Sequence, residues 1–317
     1  MRVKCLLVVL LVAALAGPGA VGARADGLPV LGIDVGGVGV STPSGTYRYV
    51  TIPVGPNKTV VARVQRGGGR VLASNLLSGN FTIPAVAYDG SSGGLAADGK
   101  TLVLIEPRVG FPRAETTLAV IGPPLRLLRR IRLRGDFSFD AISPRGRLLY
   151  LIQYVVPTDP NRYLVRAYDL RAGRLLAAPV TDPRERGEKM HGSPVTRAAS
   201  PDGRWAYTLY DGLGGKPFVH VLDTSRRSAH CVDLDALVGL DLSMMRLSVD
   251  AASHALVVRD GQKPVVLVDT RTFAMSMPQA PRGGGIAVPW SFLALTSIGA
   301  FTALFALRRR RRLALVP

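Results

Sequence analysis

Cysteine is nearly absent from this chain of 317 residues, which holds two, Cys5 and Cys231. That excludes a disulfide-stapled miniprotein, which needs several bridges in place of a core. Aromatic residues make up 6%, lysine occurs six times, and acidic residues number 22 against 40 lysines and arginines. What remains is 47% apolar and 20% charged, the proportions of a packed fold, so wholesale disorder is excluded. Between 26 and 284 no apolar stretch repeats with helical spacing over a convincing length. The chain also lacks a P-loop, a Gly-x-Ser-x-Gly elbow, a Cys-x-x-Cys pair and a His-Glu-x-x-His pair. Its glycine clusters at 36–39 and 67–69 open no helix, so they read as turns and not as phosphate cradles. No cofactor and no metal centre is implied.

Both ends carry membrane signals. Arg2 and Lys4 precede an unbroken apolar run over 5–16, and Ala23-Arg24-Ala25 fits the small-x-small rule for cleavage. The expectation is an export signal over 1–25, cut before Asp26. At the other end, 22 uncharged residues fill 286–307, enough to cross about 30 Å of hydrocarbon as a helix. Trp290 suits an interface near the outer end, and five arginines at 308–312 resist translocation. A membrane-spanning helix over 285–307 follows, with a cytoplasmic basic tail at 308–317 and an extracytoplasmic body at 26–284. The predicted location is the cell membrane, single-pass, with the N-terminal domain outside. That body keeps 32 basic residues against 22 acidic ones. Outside the cell, nucleic acid is a poor partner. A basic exterior suits anionic lipids or wall polymers instead.

The body repeats. Asp98-Gly99-Lys100 precedes an apolar run at 101–105. Ser143-Pro144-Arg145-Gly146-Arg147 precedes 148–152, and Ser200-Pro201-Asp202-Gly203-Arg204 precedes 205–209. A degenerate copy at Asp250 precedes 255–258. Asp98, Arg145, Asp202 and Asp250 are spaced by 47, 57 and 48 residues. A second element follows each later copy, at Asp169, Asp223-Thr224 and Asp269-Thr270, spaced by 54 and 46. Each repeat reads as an antiparallel meander that cannot bury both faces alone, so stacking repeats around an axis closes the core. The fold class expected is all-β, a β-propeller. At about 50 residues per repeat it has five blades, and six or seven thinner ones fit the weakly patterned first 50 residues. The Asp-Gly pairs turn strand one into strand two, and the later aspartates turn strand three into strand four.

The Ser-Pro-Asp-Gly-Arg turn before an apolar strand, followed by a strand ending in Asp-Thr, resembles the YVTN/TolB-type repeats of bacterial exported propellers. The resemblance covers about residues 80–275. It implies the fold and, through TolB, a protein-interaction role; the YVTN tetrad itself is not spelled out here. Ligands of propellers meet the face opposite the Asp-Gly turns. That face takes Tyr88 and Asp89, Arg108 and Arg113, Asp159 and Arg162, Tyr210 and Asp211, Asp260 with Lys263, and the loop 182–194. The loop holds charges of both signs and one of four histidines. The candidate binding face is therefore Glu188, Lys189, His191, Asp89, Tyr210 and Asp211. Glu188 and His191 would serve as an acid/base pair or as metal ligands if Asp89 or Asp211 joined them. Asp98 and Asp202 read as structural turn residues, His220 as a strand-face residue and Cys231 as a structural thiol. Two functions follow: a scaffold or sensor that binds an envelope or membrane protein or a cell-wall polymer, or a tethered lactonase- or glycosidase-like hydrolase. The hydrolase needs convergent carboxylates at the axis.

Overall fold

Short apolar runs separated by tight turns pair with their nearest neighbours in the chain, and five antiparallel sheets result. The computed structural model describes residues 36–67, 69–185 and 190–279. The expected export signal, the 285–307 span, the arginine tail, Glu188 and Lys189 lie outside them. Among the described residues no helix is long and apolar enough to cross a membrane.

The first sheet is β1 (Val40–Ser41), β2 (Tyr47–Pro53), β3 (Lys58–Gln65) and β4 (Val71–Ser78). The second is β5 (Leu102–Ile105), β6 (Glu115–Gly122) and β7 (Arg126–Arg134). The third is β8 (Phe137–Ile142), β9 (Leu148–Tyr154), β10 (Tyr163–Asp169) and β11 (Arg174–Val180). The fourth is β12 (Pro194–Ala199), β13 (Trp205–Tyr210), β14 (Phe218–Asp223) and β15 (Ser228–Asp233). The fifth is β16 (Met245–Asp250), β17 (Ala255–Asp260), β18 (Lys263–Asp269) and β19 (Met275–Ser276).

Every recurring aspartate does the turn chemistry its position calls for. Asp98, Asp202 and Asp250 each accept the backbone N–H two residues on, at 2.9–3.0 Å, where strand one turns into strand two. Asp169, Asp223 and Asp269 each accept two successive N–H groups beyond them, at 2.7–3.0 Å, where strand three turns into strand four. An aspartate oxygen replaces a missing backbone partner in both settings.

Successive sheets pack face to face. Tyr49 and Val61 meet Leu104 and Ile121, and Leu118 meets Phe139 and Leu151. Ile152 and Val165 meet Ala206 and Leu222, and Val219 meets Leu247 and Val266. Each buried Leu- or Val-sized side chain contributes about 1.5–3 kcal/mol. Among the described residues no such cluster joins the fifth sheet to the first. Middle strands such as β13 and β14 are almost wholly buried because both faces are covered. The outermost strands β4 and β7 are mostly exposed. Sequential meanders with this inside-to-outside gradient are the organisation of a five-bladed β-propeller. Five of the arginines fall on β7, where charge on an edge strand blocks pairing with another chain.

The second blade departs from the four-stranded expectation. Its innermost position is held by single bridges, Thr82 to Ile105 and Leu95 to Leu102. Gly94, at φ +100, approaches so closely that a Cβ would lie 2.4 Å from the Val103 carbonyl oxygen. The intervening segment leaves its own blade. The N–H groups of Tyr88 and Asp89 donate to the carbonyls of Pro194 and Val195 on β12, at 2.9 and 3.1 Å, and the Ser92 hydroxyl donates to Gly39. The second blade is thus stitched to the first and the fourth.

Candidate functional site

The connections from strand two to three, and from strand four to the next blade, carry the residues singled out for the binding face. Their fates differ. Asp89 uses its backbone N–H on β12, and its Oδ1 accepts the Ser91 N–H at 2.9 Å. Asp211 Oδ1 accepts Ser193 N–H at 2.7 Å and Leu213 N–H at 3.0 Å, which ties the start of β12 to the β13–β14 turn. Gly192 makes room for that clamp: at φ +94, a Cβ would come within 2.6 Å of Asp211 Oδ1. Tyr210 is no surface residue. It is 3% exposed, stacked between Tyr163 and Phe218 with ring centroids 6.1 and 5.1 Å away, and burial raises its hydroxyl pKa. His191 is exposed, 6.4 Å from the Phe218 ring. Asp89 and Asp211 therefore act as backbone braces.

The loops at Arg108 and Arg113 also turn inward. Arg108 is wholly buried. Its Nη2 lies 2.6 Å from Asp136 Oδ1, its Nε is 3.2 Å from both carboxylate oxygens, and Nη2 also donates to Ser138. The guanidinium lies 5.0 Å from the Tyr154 ring centroid. Arg113 adds its backbone N–H to Asp136 Oδ2 at 2.9 Å. This boundary, between the second and third blades, is closed by a paired buried charge.

The next boundary is open. A cavity of about 240 Å³ lies between the third and fourth blades. Tyr163 and Phe218 form an aromatic wall, His191 and Met190 come from the loop before β12, and Lys216 and Asp233 add polar groups. Strand alternation decides what else enters. On β13, β14 and β15, Thr208, His220 and Cys231 are register partners, and their neighbours Ala206, Leu222 and Ala229 pack on the third blade. The three therefore form a polar stripe on that side. His220 is 2% exposed, and burial pushes its pKa down to about 4, so the imidazole is neutral near neutral pH. Its Nε2 and the Thr208 hydroxyl have no hydrogen-bond partner. The stripe stands beside a second polar pair: Asp140 on β8 makes an ion pair with Arg197 on β12.

Asp182, after β11, supplies the acid. Burial alone would raise its pKa. The Arg184 guanidinium and the backbone N–H groups of Arg184 and Cys231 outweigh that and hold it at about 2. Arg184 Nε is 3.0 Å from Oδ1, and Cys231 N–H donates to Oδ2 at 2.9 Å. Asp182, Glu185 and Cys231 bring one ligand atom each to within 4.8 Å of one another. Sequence reasoning singled out the loop but not these members. Asp182 and Cys231 are 49 residues apart, about one repeat, and that spacing was the available signal. Cys231 is half-buried in the cleft wall, and His220 is a strand-face residue that also lines the cavity.

No protein-family model matches this chain. No curated protein matches it either. Solved structures do, and those named here include propellers. An Agrobacterium tumefaciens structure assigned to TolB is 13% identical, with 75% of this chain and 78% of that one covered at a TM-score of 0.39. The β-propeller domain of Myceliophteria thermophila Cps50 (Swd1) is 10% identical, with 75% and 68% covered at 0.43. A Bacteroides uniformis structure assigned as a 6-phosphogluconolactonase is 14% identical, with 76% and 83% covered at 0.39.

Proposed function

We propose that the protein is an exported, membrane-tethered β-propeller that acts as a binding scaffold or sensor for another envelope or membrane protein or a cell-wall polymer. The tether and the orientation rest on the apolar runs at 5–16 and 286–307 and on the arginines at 308–312. The observation that carries the binding role is the cleft between the third and fourth blades. It has an aromatic wall, charged groups of both signs at its rim, and Asp182, Glu185, Met190 and His191 in its lining. Such a mixture of apolar wall and few polar groups is what recognition pockets present. A hydrolase on the same face would need free converging carboxylates. Asp89 and Asp211 instead accept backbone N–H groups, and Asp182, which lies near Glu185 in the cleft, is held by Arg184 and the Cys231 N–H, which favours binding over bond cleavage.

Cross-linking in intact cells tests this reading. The full-length chain is compared with a triple variant, Glu185→Ala, His191→Ala and Lys216→Ala, all at the cleft. Enrichment of one envelope component by the parent and its loss with the variant is the expected result. Identical cross-links from both chains would remove the cleft as the binding face, and turnover of a lactone or glycoside by the parent would replace the scaffold with the hydrolase.

A further inference from the structure

We propose that the cleft between the third and fourth blades binds a divalent cation of the zinc class, with Asp182, Glu185 and Cys231 as ligands and His220 Nε2 completing the set.

Two independent observations meet there. The first is the ligand cluster itself. A carboxylate oxygen of Asp182, one of Glu185 and the Cys231 sulfur lie mutually within 4.8 Å. Ligands about 2.0–2.3 Å from a shared tetrahedral ion stand about 3.3–3.8 Å from one another, so the three side chains must draw in by up to about 1.5 Å to share an ion. The second is the state of His220. It is 2% exposed, its Nε2 has no hydrogen-bond partner, and its ring lines the same cavity. An orphaned buried imidazole nitrogen costs free energy, and a metal ion is one partner that removes the cost. His220 is also the cross-strand register partner of Cys231, on the face that looks into the cleft. Side chains so paired have Cβ atoms about 4.5–5.5 Å apart; the His220 nitrogens stand outside the 4.8 Å cluster of the other three ligand atoms, so on binding the imidazole must turn toward the ion.

The donor set selects the ion. One thiolate, one imidazole and two carboxylates suit a borderline-soft cation with four ligands, whereas calcium and magnesium require a shell of oxygens. Binding converts the thiol to thiolate, and its proton goes to water.

Arg184 is the competitor. Its guanidinium sits on Asp182 and reaches the Cys231 carbonyl oxygen at 3.0 Å, yet its side chain is 53% exposed. It supplies the positive charge that a cation would replace, and a cation must displace its contacts with Asp182. Lys216 at the rim is engaged elsewhere, 2.9 Å from Asp235. The metal site stands whether or not the same face binds an envelope partner.

The test uses the full-length chain carrying Cys5→Ser, which leaves Cys231 as its only thiol. It is titrated with Co²⁺, then with Zn²⁺, and separately with Ca²⁺ and Mg²⁺. The expected result is saturable binding of one Co²⁺ per chain with a thiolate-to-cobalt charge-transfer band that Zn²⁺ bleaches and Ca²⁺ and Mg²⁺ do not. Cys231→Ser removes the band. Glu185→Gln and His220→Gln each weaken Zn²⁺ by about tenfold or more, since even outer-shell partners of a metal are worth that much. Circular dichroism checks that each variant folds, and the band in the parent chain is read without any of them. Saturation with Co²⁺ and no thiolate band, or Zn²⁺ affinity unchanged in both Glu185→Gln and His220→Gln, would overturn the proposal.

Discussion

The third blade meets the second through the buried Arg108–Asp136 pair; it meets the fourth through the Asp140–Arg197 pair and apolar packing, with an open cleft beside them. Both boundaries draw on the same stock: an aspartate beside an inner or outer strand, an arginine from a loop, and tyrosines. Against the second blade, Arg108 reaches Asp136 with three contacts and stays wholly buried. Against the fourth, Asp182 holds Arg184 from the rim. The guanidinium there is half in water, and behind it stand a thiol and a neutral imidazole. One long side chain folded inward makes a joint, and the same side chain turned outward leaves a site. What differs is where the arginine begins. Arg108 leaves a connection from strand two to strand three and points down between blades. Arg184 sits two residues past Asp182 and doubles back on it.

Three substitutions break or sharpen this contrast. The largest effect belongs to Asp136→Ala, which strands the Arg108 charge in the core. Urea unfolding of the full-length chain should show a loss of about 3–5 kcal/mol. A loss below about 1 kcal/mol would mean that water reaches the joint between the second and third blades, leaving it no more closed than the cleft. Gly192→Ala comes next. A side chain at φ +94 beside Asp211 Oδ1 must open the clamp on Ser193. The expected cost is about 1–3 kcal/mol, read as a lower unfolding midpoint, together with faster amide exchange at Ser193. The smallest stability effect belongs to Arg184→Gln. The arginine is half in water but its partner Asp182 is buried and keeps backbone N–H donors, so the expected cost is about 1 kcal/mol. If Arg184 competes with a cation for Asp182, the same change tightens Zn²⁺ binding by about tenfold. Unchanged or weaker Zn²⁺ binding would make the guanidinium a fixed partner of Asp182.

Much of this frame is legible in the sequence, because turn chemistry is local. Asp202-Gly203 and Asp223-Thr224 act through N–H groups two or three residues away, so their spacing alone fixes where strands begin and end. The fate of the second blade was not legible. The segment around Tyr88 and Asp89 resembles any loop, and only the neighbouring β12 edge explains why it leaves its own sheet. Arg108 reads as a surface cation for a related reason: its partner Asp136 lies 28 residues on, in the next repeat. The candidate site divides along the same line. The loop bearing His191 could be picked out by its charge. Its working neighbours His220 and Cys231 sit on strands that appear as plain alternating segments until two blades stack. Tyr210 was misplaced because strand ends and loops look alike in sequence, and the stacking with Tyr163 and Phe218 pulls it into the core.

The central claim is that the cleft between the third and fourth blades is open to ligand at Cys231. It is tested most directly by the alkylation rate of Cys231 in the folded full-length chain carrying Cys5→Ser, with and without saturating Zn²⁺. Alkylation without urea, slowed by Zn²⁺ at least about tenfold and unaffected by Mg²⁺, is the predicted result. Alkylation that requires unfolding, or that proceeds at one rate with and without Zn²⁺, would contradict it.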